Sequence, residues 1–139
     1  MAIYNLRDAS VVYNSIDLSN RVRSVTVTMN AEDLDATAMG ATSRAHVPGL
    51  RDDRFELEFF QDHAAANVDA TFSAQLGISA GVVLVVKPTS AAVSATNPTF
   101  TCTVVLLDYS PLGGEVGNLS MAPITLVPAP GSSIVRATS

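Results

Sequence analysis

The distribution of charge constrains this chain more than any other feature. Residues 63–139 carry acidic or basic side chains only at Asp69, Lys87, Asp108, Glu115 and Arg136. Residues 30–62 hold Glu32, Asp33, Asp35, Asp52, Asp53, Glu56, Glu58 and Asp62, eight of the thirteen acidic residues of the chain. A domain of this length keeps about 30% of its unfolded surface exposed, and the surface of a soluble monomer ordinarily draws about 25–35% of its residues from Lys, Arg, Glu and Asp. Only 15% of this chain is charged. The charge-poor half is therefore expected to be covered by other protein subunits. The alternative is a monomer solvated by its many Ser and Thr residues.

Strand signals fill the sequence. Val25, Val27 and Met29 alternate with Ser24, Thr26 and Thr28, and Phe55, Leu57 and Phe59 alternate with Glu56 and Glu58. Period two of this kind puts one apolar and one polar face on a strand. Residues 82–86 (VVLVV) predict a strand buried on both faces, and 100–109 a long β-branched one. A shorter strand is expected at 10–13, and another at 119–127, where Pro123 implies an edge position or a bulge. One segment differs: in the Ala-rich stretch 64–76, Val68, Phe72 and Leu76 recur at helical spacing. Asp62 or Asn67 could cap this helix, and Gly77 could end it. The polar segment 30–53 reads as a long loop, a length usually tied to function. Residues 90–98 form a second loop, and 113–117 a hairpin connection. The expected fold is mainly β: one β-sandwich or barrel-like domain over residues 1–139 with one flanking α-helix.

Composition excludes several function classes. A net charge of −5 argues against gripping nucleic acid, which relies on clustered Lys and Arg. Cys102 is the sole cysteine, so no intrachain disulfide and no cysteine-based zinc site can form. The N-terminus lacks an apolar signal core, and 82–86 is far shorter than the ~20 residues a membrane helix needs, so neither cleaved-signal secretion nor membrane insertion is expected.

No constellation of residues in the sequence points to an enzyme. His46 and His63 are the only histidines and lack metal-ligand spacing. Cys102 lies in an apolar strand pattern and reads as a small buried residue rather than a nucleophile. Glu56 and Glu58 share one strand face, as paired catalytic carboxylates would, and equally as an ordinary solvated face. Glu32, Asp33 and Asp35 lack the spacing of a calcium loop. No Lys-Ser/Thr follows the glycines at 113–117, so no phosphate loop forms. No cofactor is expected.

Several motifs carry a resemblance. Asp17-Leu18-Ser19 opens a strand. Leu34-Asp35-Ala36-Thr37-Ala38-Met39-Gly40 follows, then Val47-Pro48-Gly49-Leu50, then Phe55 to Asp62. In this order they resemble the tail tube (major tail) proteins of long-tailed bacteriophages, with a Pro-Gly-Leu turn leading into a strand that ends in an aromatic and an Asp. The resemblance spans roughly residues 17–127. It implies a virion protein assembled in the bacterial cytoplasm. Six such subunits form a ring and jointly close an inner β-barrel. Rings then stack into a tube through which DNA passes without specific binding. Tail tip initiator, tape measure and tail terminator proteins are the partners it implies.

On that reading the 30–53 loop makes inter-ring contacts through Asp35, Thr37, Met39, Gly40, Pro48 and Gly49. The polar strand faces line the lumen with Glu56, Glu58, Ser24, Thr26 and Thr28, creating a strongly negative channel. A ring-forming tail terminator or head–tail joining protein, a capsid decoration protein and a ligand-binding β-sandwich stay open as alternatives.

Overall fold

A computed structural model of the chain describes Ile3 and residues 5–139. Its strands are β1 (Ser10–Tyr13), β2 (Ile16–Asp17), β3 (Val22–Thr28), β4 (Ala31–Asp35), β5 (His46–Arg51), β6 (Arg54–Phe60), β7 (Val82–Lys87), β8 (Thr99–Tyr109), β9 (Met121–Pro128) and β10 (Val135–Ala137). The helix α1 spans Val68–Phe72, and a 3-10 turn spans Ser19–Arg21. Eight strands form one antiparallel sheet in the order β2-β1-β7-β8-β9-β6-β3, with β10 also paired to β8. β4 and β5 pair only with each other.

Local chemistry fixes the strand ends. Asn14 and Ser15 both have positive φ, 52° and 65°, as the two-residue turn between β1 and β2 requires. Asp17-Leu18-Ser19 then turns the chain towards β3. The Ser19 amide donates to Asp17 Oδ1 at 2.9 Å, Ser19 Oγ accepts from the Val11 amide, and Leu18 is buried.

The sheet curls around α1. Phe72 packs on Tyr13 of β1, Phe59 of β6 and Tyr109 of β8, with ring centroids 4.7, 5.4 and 6.1 Å away. Strands from distant parts of the sheet thus meet on one buried ring. Phe55, Leu57, Leu84, Val104, Ile124 and Leu126 fill the same inner face. Burying a side chain of this size stabilises by roughly 1.5–3 kcal/mol, so the inner face is the principal apolar source of stability. The sheet does not close within one chain: β2 and β3 are its free edges.

Five expectations are corrected. Segment 30–53 is not a loop; most of it is the β4–β5 hairpin, because Leu34, Val47 and their neighbours pair across strands. Pro48-Gly49-Leu50 is no turn but part of β5, where Pro48 sits opposite Asp33. The helix covers five residues rather than 64–76: Ala66 has φ 60°, which breaks the helical path before Asn67, and Leu76 leaves it to bridge Leu106. Residues 82–86 are buried on one face only, through Leu84 and Val86, since nothing in the single chain covers Val83. Pro123 lies in an interior strand between β6 and β9's other neighbour β8, not at an edge. Its carbonyl accepts from Ser110 just past the end of β8, so its missing N–H points where the ladder has already ended. A bulge lies further along, on β8 between Leu106 and Asp108, opposite Leu126 and Thr125.

Candidate assembly surfaces

Three surfaces of the subunit stand out. The first is the β4–β5 hairpin, an arm inserted between Thr28 of β3 and Arg54 of β6, which are themselves paired. Every residue of β4 is exposed, and only Gly49 of β5 is even partly covered. Leu34, Val47 and Leu50 are exposed apolar side chains, and Met39 at the tip is 103% exposed. An isolated two-stranded hairpin is marginal in water, so polar bonds hold the tip. The Thr37 amide donates to Asp35 Oδ1 at 3.0 Å, Arg44 Nη1 donates to Asp35 Oδ2 at 2.7 Å, and Thr37 Oγ1 accepts from the Ala45 amide at 2.8 Å. Thr37 first, then Arg44, holds the Asp35 carboxyl below the usual range. His46 Nδ1 lies 2.9 Å from Asp33. Gly40 has φ +82°, a conformation suited to glycine at a sharp tip.

The base of the arm is anchored by a residue that sequence reading passed over. Asp53 is buried. It accepts from the amides of Asn30 and Ile134, at 3.2 and 3.0 Å, and pairs with Arg51 Nη2 at 2.8 Å. One carboxylate thereby ties both roots of the arm to the C-terminal segment. Its only sequence signal is the Asp52-Asp53 pair before an apolar alternation, which by itself reads as solvated.

The second surface is the outer face of β3, β6 and β9. Phe55, Leu57 and Phe59 point to the core, so Glu56 and Glu58 point outward. Cross-strand rows run Ser24–Glu58–Pro123 and Thr26–Glu56–Thr125, with Thr28 opposite Arg54. All five residues expected to line a channel share this face. The carboxylates are not free. Arg23 Nη1 lies 3.2 Å from Glu58 Oε1, and Arg54 Nη1 3.5 Å from Glu56 Oε1. With Asp108, set opposite Thr125, the strands put three carboxylates and two guanidiniums on this face, and Arg7 and Asp8 lie beside Arg23 and Ser24 at its β3 edge. The expected strongly negative face is therefore close to balanced. Arg54 was findable, two residues before Glu56 in the same alternation. Arg23 was not, because a bulge between Val22 and Ser24 shifts it out of phase.

The third surface is the 110–120 connection between β8 and β9. Leu112, Val116 and Leu119 are exposed there. β6 pairs with β3 and β9 along its length, which puts this connection at the opposite end of the sheet from the arm, about 20 Å away at the usual strand rise. Beside it a polar network covers this end of the sheet. Tyr109 donates to Asp69 Oδ1 at 2.7 Å, Gln61 Nε2 donates to the Tyr109 hydroxyl at 3.1 Å, and His63 Nδ1 lies 3.3 Å from Asp69 Oδ2. The Tyr109 hydroxyl, then His63, holds the Asp69 carboxyl below the usual range. Arg21 pairs with Asp62 at 2.8 Å.

Among the described residues, Cys102, His46 and His63 stay apart from one another. Cys102 is buried, and burial pushes its thiol pKa up, the opposite of what a nucleophile needs. His46 and His63 lie on separate surfaces, each against one Asp. No group of three His, Cys, Asp or Glu side chains could hold a metal ion, and no helix is long and apolar enough to cross a membrane, among the described residues.

No protein-family model matches the sequence, and no curated protein matches it. Solved structures do match the fold, over nearly the whole chain. A chain from the tail of an empty gene transfer agent particle, refined helically with C6 symmetry, superposes with a TM-score of 0.72 at 12% identity, covering 96% of this chain and 99% of that one. A chain from the sheath/tube terminator of an extracellular contractile injection system gives 0.71 at 10% identity, covering 96% of each chain. A chain from the sheath–tube complex of the same kind of system gives 0.67 at 12% identity, covering 99% of this chain and 95% of that one. The chain shares the fold of these tail and tube components.

Proposed function

We propose that this protein is a tube subunit of a phage-like tail. Six copies close a ring with the outer face of β3, β6 and β9 turned to a central channel, and rings stack through the arm. The observation that carries the reading is the pairing of a tail-type fold over 96% of the chain with an arm that has no strand partner outside itself among the described residues. A free β3 edge of seven residues favours the ring, since an unpaired ladder of N–H and C=O groups seeks another strand. Arm and apolar connection lie at opposite ends of the sheet. Joining one to the other is a head-to-tail contact, which repeats along an axis without closing. Met39, Gly40, Pro48 and Gly49 are the contact residues of the arm, while Asp35 and Thr37 shape its tip. The polymer is a virion component assembled in the bacterial cytoplasm, started by a tail tip, measured by a tape measure protein, and traversed by DNA.

A second reading has its own support. The fold also matches a chain from the structure of a tube-terminating cap, with a TM-score of 0.66 at 10% identity over 97% of this chain. A terminator would form one ring and stop. Negative-stain microscopy of purified protein, alone and with a tail tip complex, separates the two. Stacked tubes are the expected result. Single rings under both conditions would favour the terminator, and monomers throughout would overturn both.

A further inference from the structure

We infer that Glu56 and Glu58 serve to mask Arg54 and Arg23, so that these two guanidiniums of the channel face are not offered to a passing polyanion. The inference rests on the channel reading for its biological setting, but its chemistry stands on the subunit. Two guanidiniums lie on an exposed polar sheet face, each within ion-pair distance of one carboxylate. The Glu58 pair bridges adjacent strands, and Arg54 and Glu56 stand two apart on one strand, so both pairs are held by sheet geometry. A free arginine is a strong phosphate ligand with a forked set of donors. Repeated six-fold and ring after ring, twelve unmasked arginines per ring would grip a nucleic acid rather than let it slide. Ser24, Thr26, Thr28 and Thr125 surround the pairs with neutral hydroxyls. Asp108 leaves one carboxylate in excess per subunit, six in a ring of six, so the masked face stays net negative. The ion pairs thus cancel the attraction of the two arginines, and the excess carboxylates leave a residual repulsion.

The test is a double-mutant comparison on the purified subunit, read by fluorescence anisotropy with a short labelled DNA duplex. The wild type should show no binding. The variant E56Q/E58Q keeps size and hydrogen bonding but frees both arginines. It should gain binding with a log–log salt slope of about −2, near −0.9 per phosphate contact, so that doubling the salt weakens it about three- to fourfold. Adding R23Q and R54Q should abolish the gain. No gain in E56Q/E58Q, or equal binding by the fourfold variant, would overturn the masking role. Tubes of E56Q/E58Q then test the channel reading separately. Linear duplex should be retained and closed circular duplex, which has no end to thread, should not. Equal retention of both would put the face on the outside and sink the channel reading while masking stands.

Discussion

Two buried side chains make opposite statements about cost. Thr71 is buried in α1, and its hydroxyl has no hydrogen-bond partner among the described residues. An orphaned polar group lowers stability by about 1–3 kcal/mol, so Thr71→Val, of similar shape, should stabilise by about 1 kcal/mol and raise Tm by about 3 °C, checked by calorimetry. Asp53 is the reverse case: its carboxylate is fully used. Asp53→Ala strands Arg51 and the amides of Asn30 and Ile134, and should cost about 3 kcal/mol in urea unfolding. Hydrogen exchange should quicken first at Asn30 and Ile134. Asp69 adds a pH dependence. Its folded pKa lies below the ordinary value because of Tyr109, so its contribution is complete above the ordinary carboxylate range and disappears as pH falls through the folded value. Tyr109→Phe should therefore destabilise at pH 7 and lose most of that effect once acid protonates Asp69 in the folded state, read from urea midpoints. An effect equal at both pH values would assign it to packing instead.

Elements differ in how far they support themselves. β6 is anchored by β3 on one side and β9 on the other, with its apolar face on Phe72. The arm has only its own ladder and the Asp53 anchor. Deleting residues 39–43 should leave the sheet unharmed, because no core residue is touched. Far-UV circular dichroism and Tm should stay near wild type, while polymer formation followed by light scattering should cease. Normal polymer from this variant would show that the tip makes no inter-ring contact.

At the scale of the whole molecule, polarity is the governing property. A head-to-tail contact predicts complementation between two defective subunits. Rings lacking 39–43 keep an intact apolar connection. Rings carrying L112S, V116S and L119S keep an intact arm. Each alone should stop at single rings, and an equal mixture should form double rings but nothing longer, as seen by microscopy and sedimentation. Long tubes from the mixture, or no double rings, would mean that arm and connection are not each other's partners.

Alternation made the strands legible in advance, because a half-buried strand repeats every two residues whatever the rest of the chain does. β3, β6 and the outward direction of Glu56 and Glu58 follow from it alone, β8 follows from its β-branched composition, and the exposed apolar side chains of the charge-poor half agree with an expectation of partners. Order along the chain also separated the arm segment from the core, though as a loop. Its pairing depends on Leu34 meeting Val47 across a turn, a contact no local pattern encodes. The same holds for α1, whose apolar spacing ran on to Leu76 while the backbone at Ala66 and the bridge to Leu106 cut it short. The balance of charge on the outer face was likewise settled in three dimensions, since Arg23 reaches Glu58 from a neighbouring strand through a bulge. Local sequence fixes which face a residue prefers, by periodicity and burial. Which residues then stand opposite one another, and so which charges cancel, is decided by register between segments far apart in the chain.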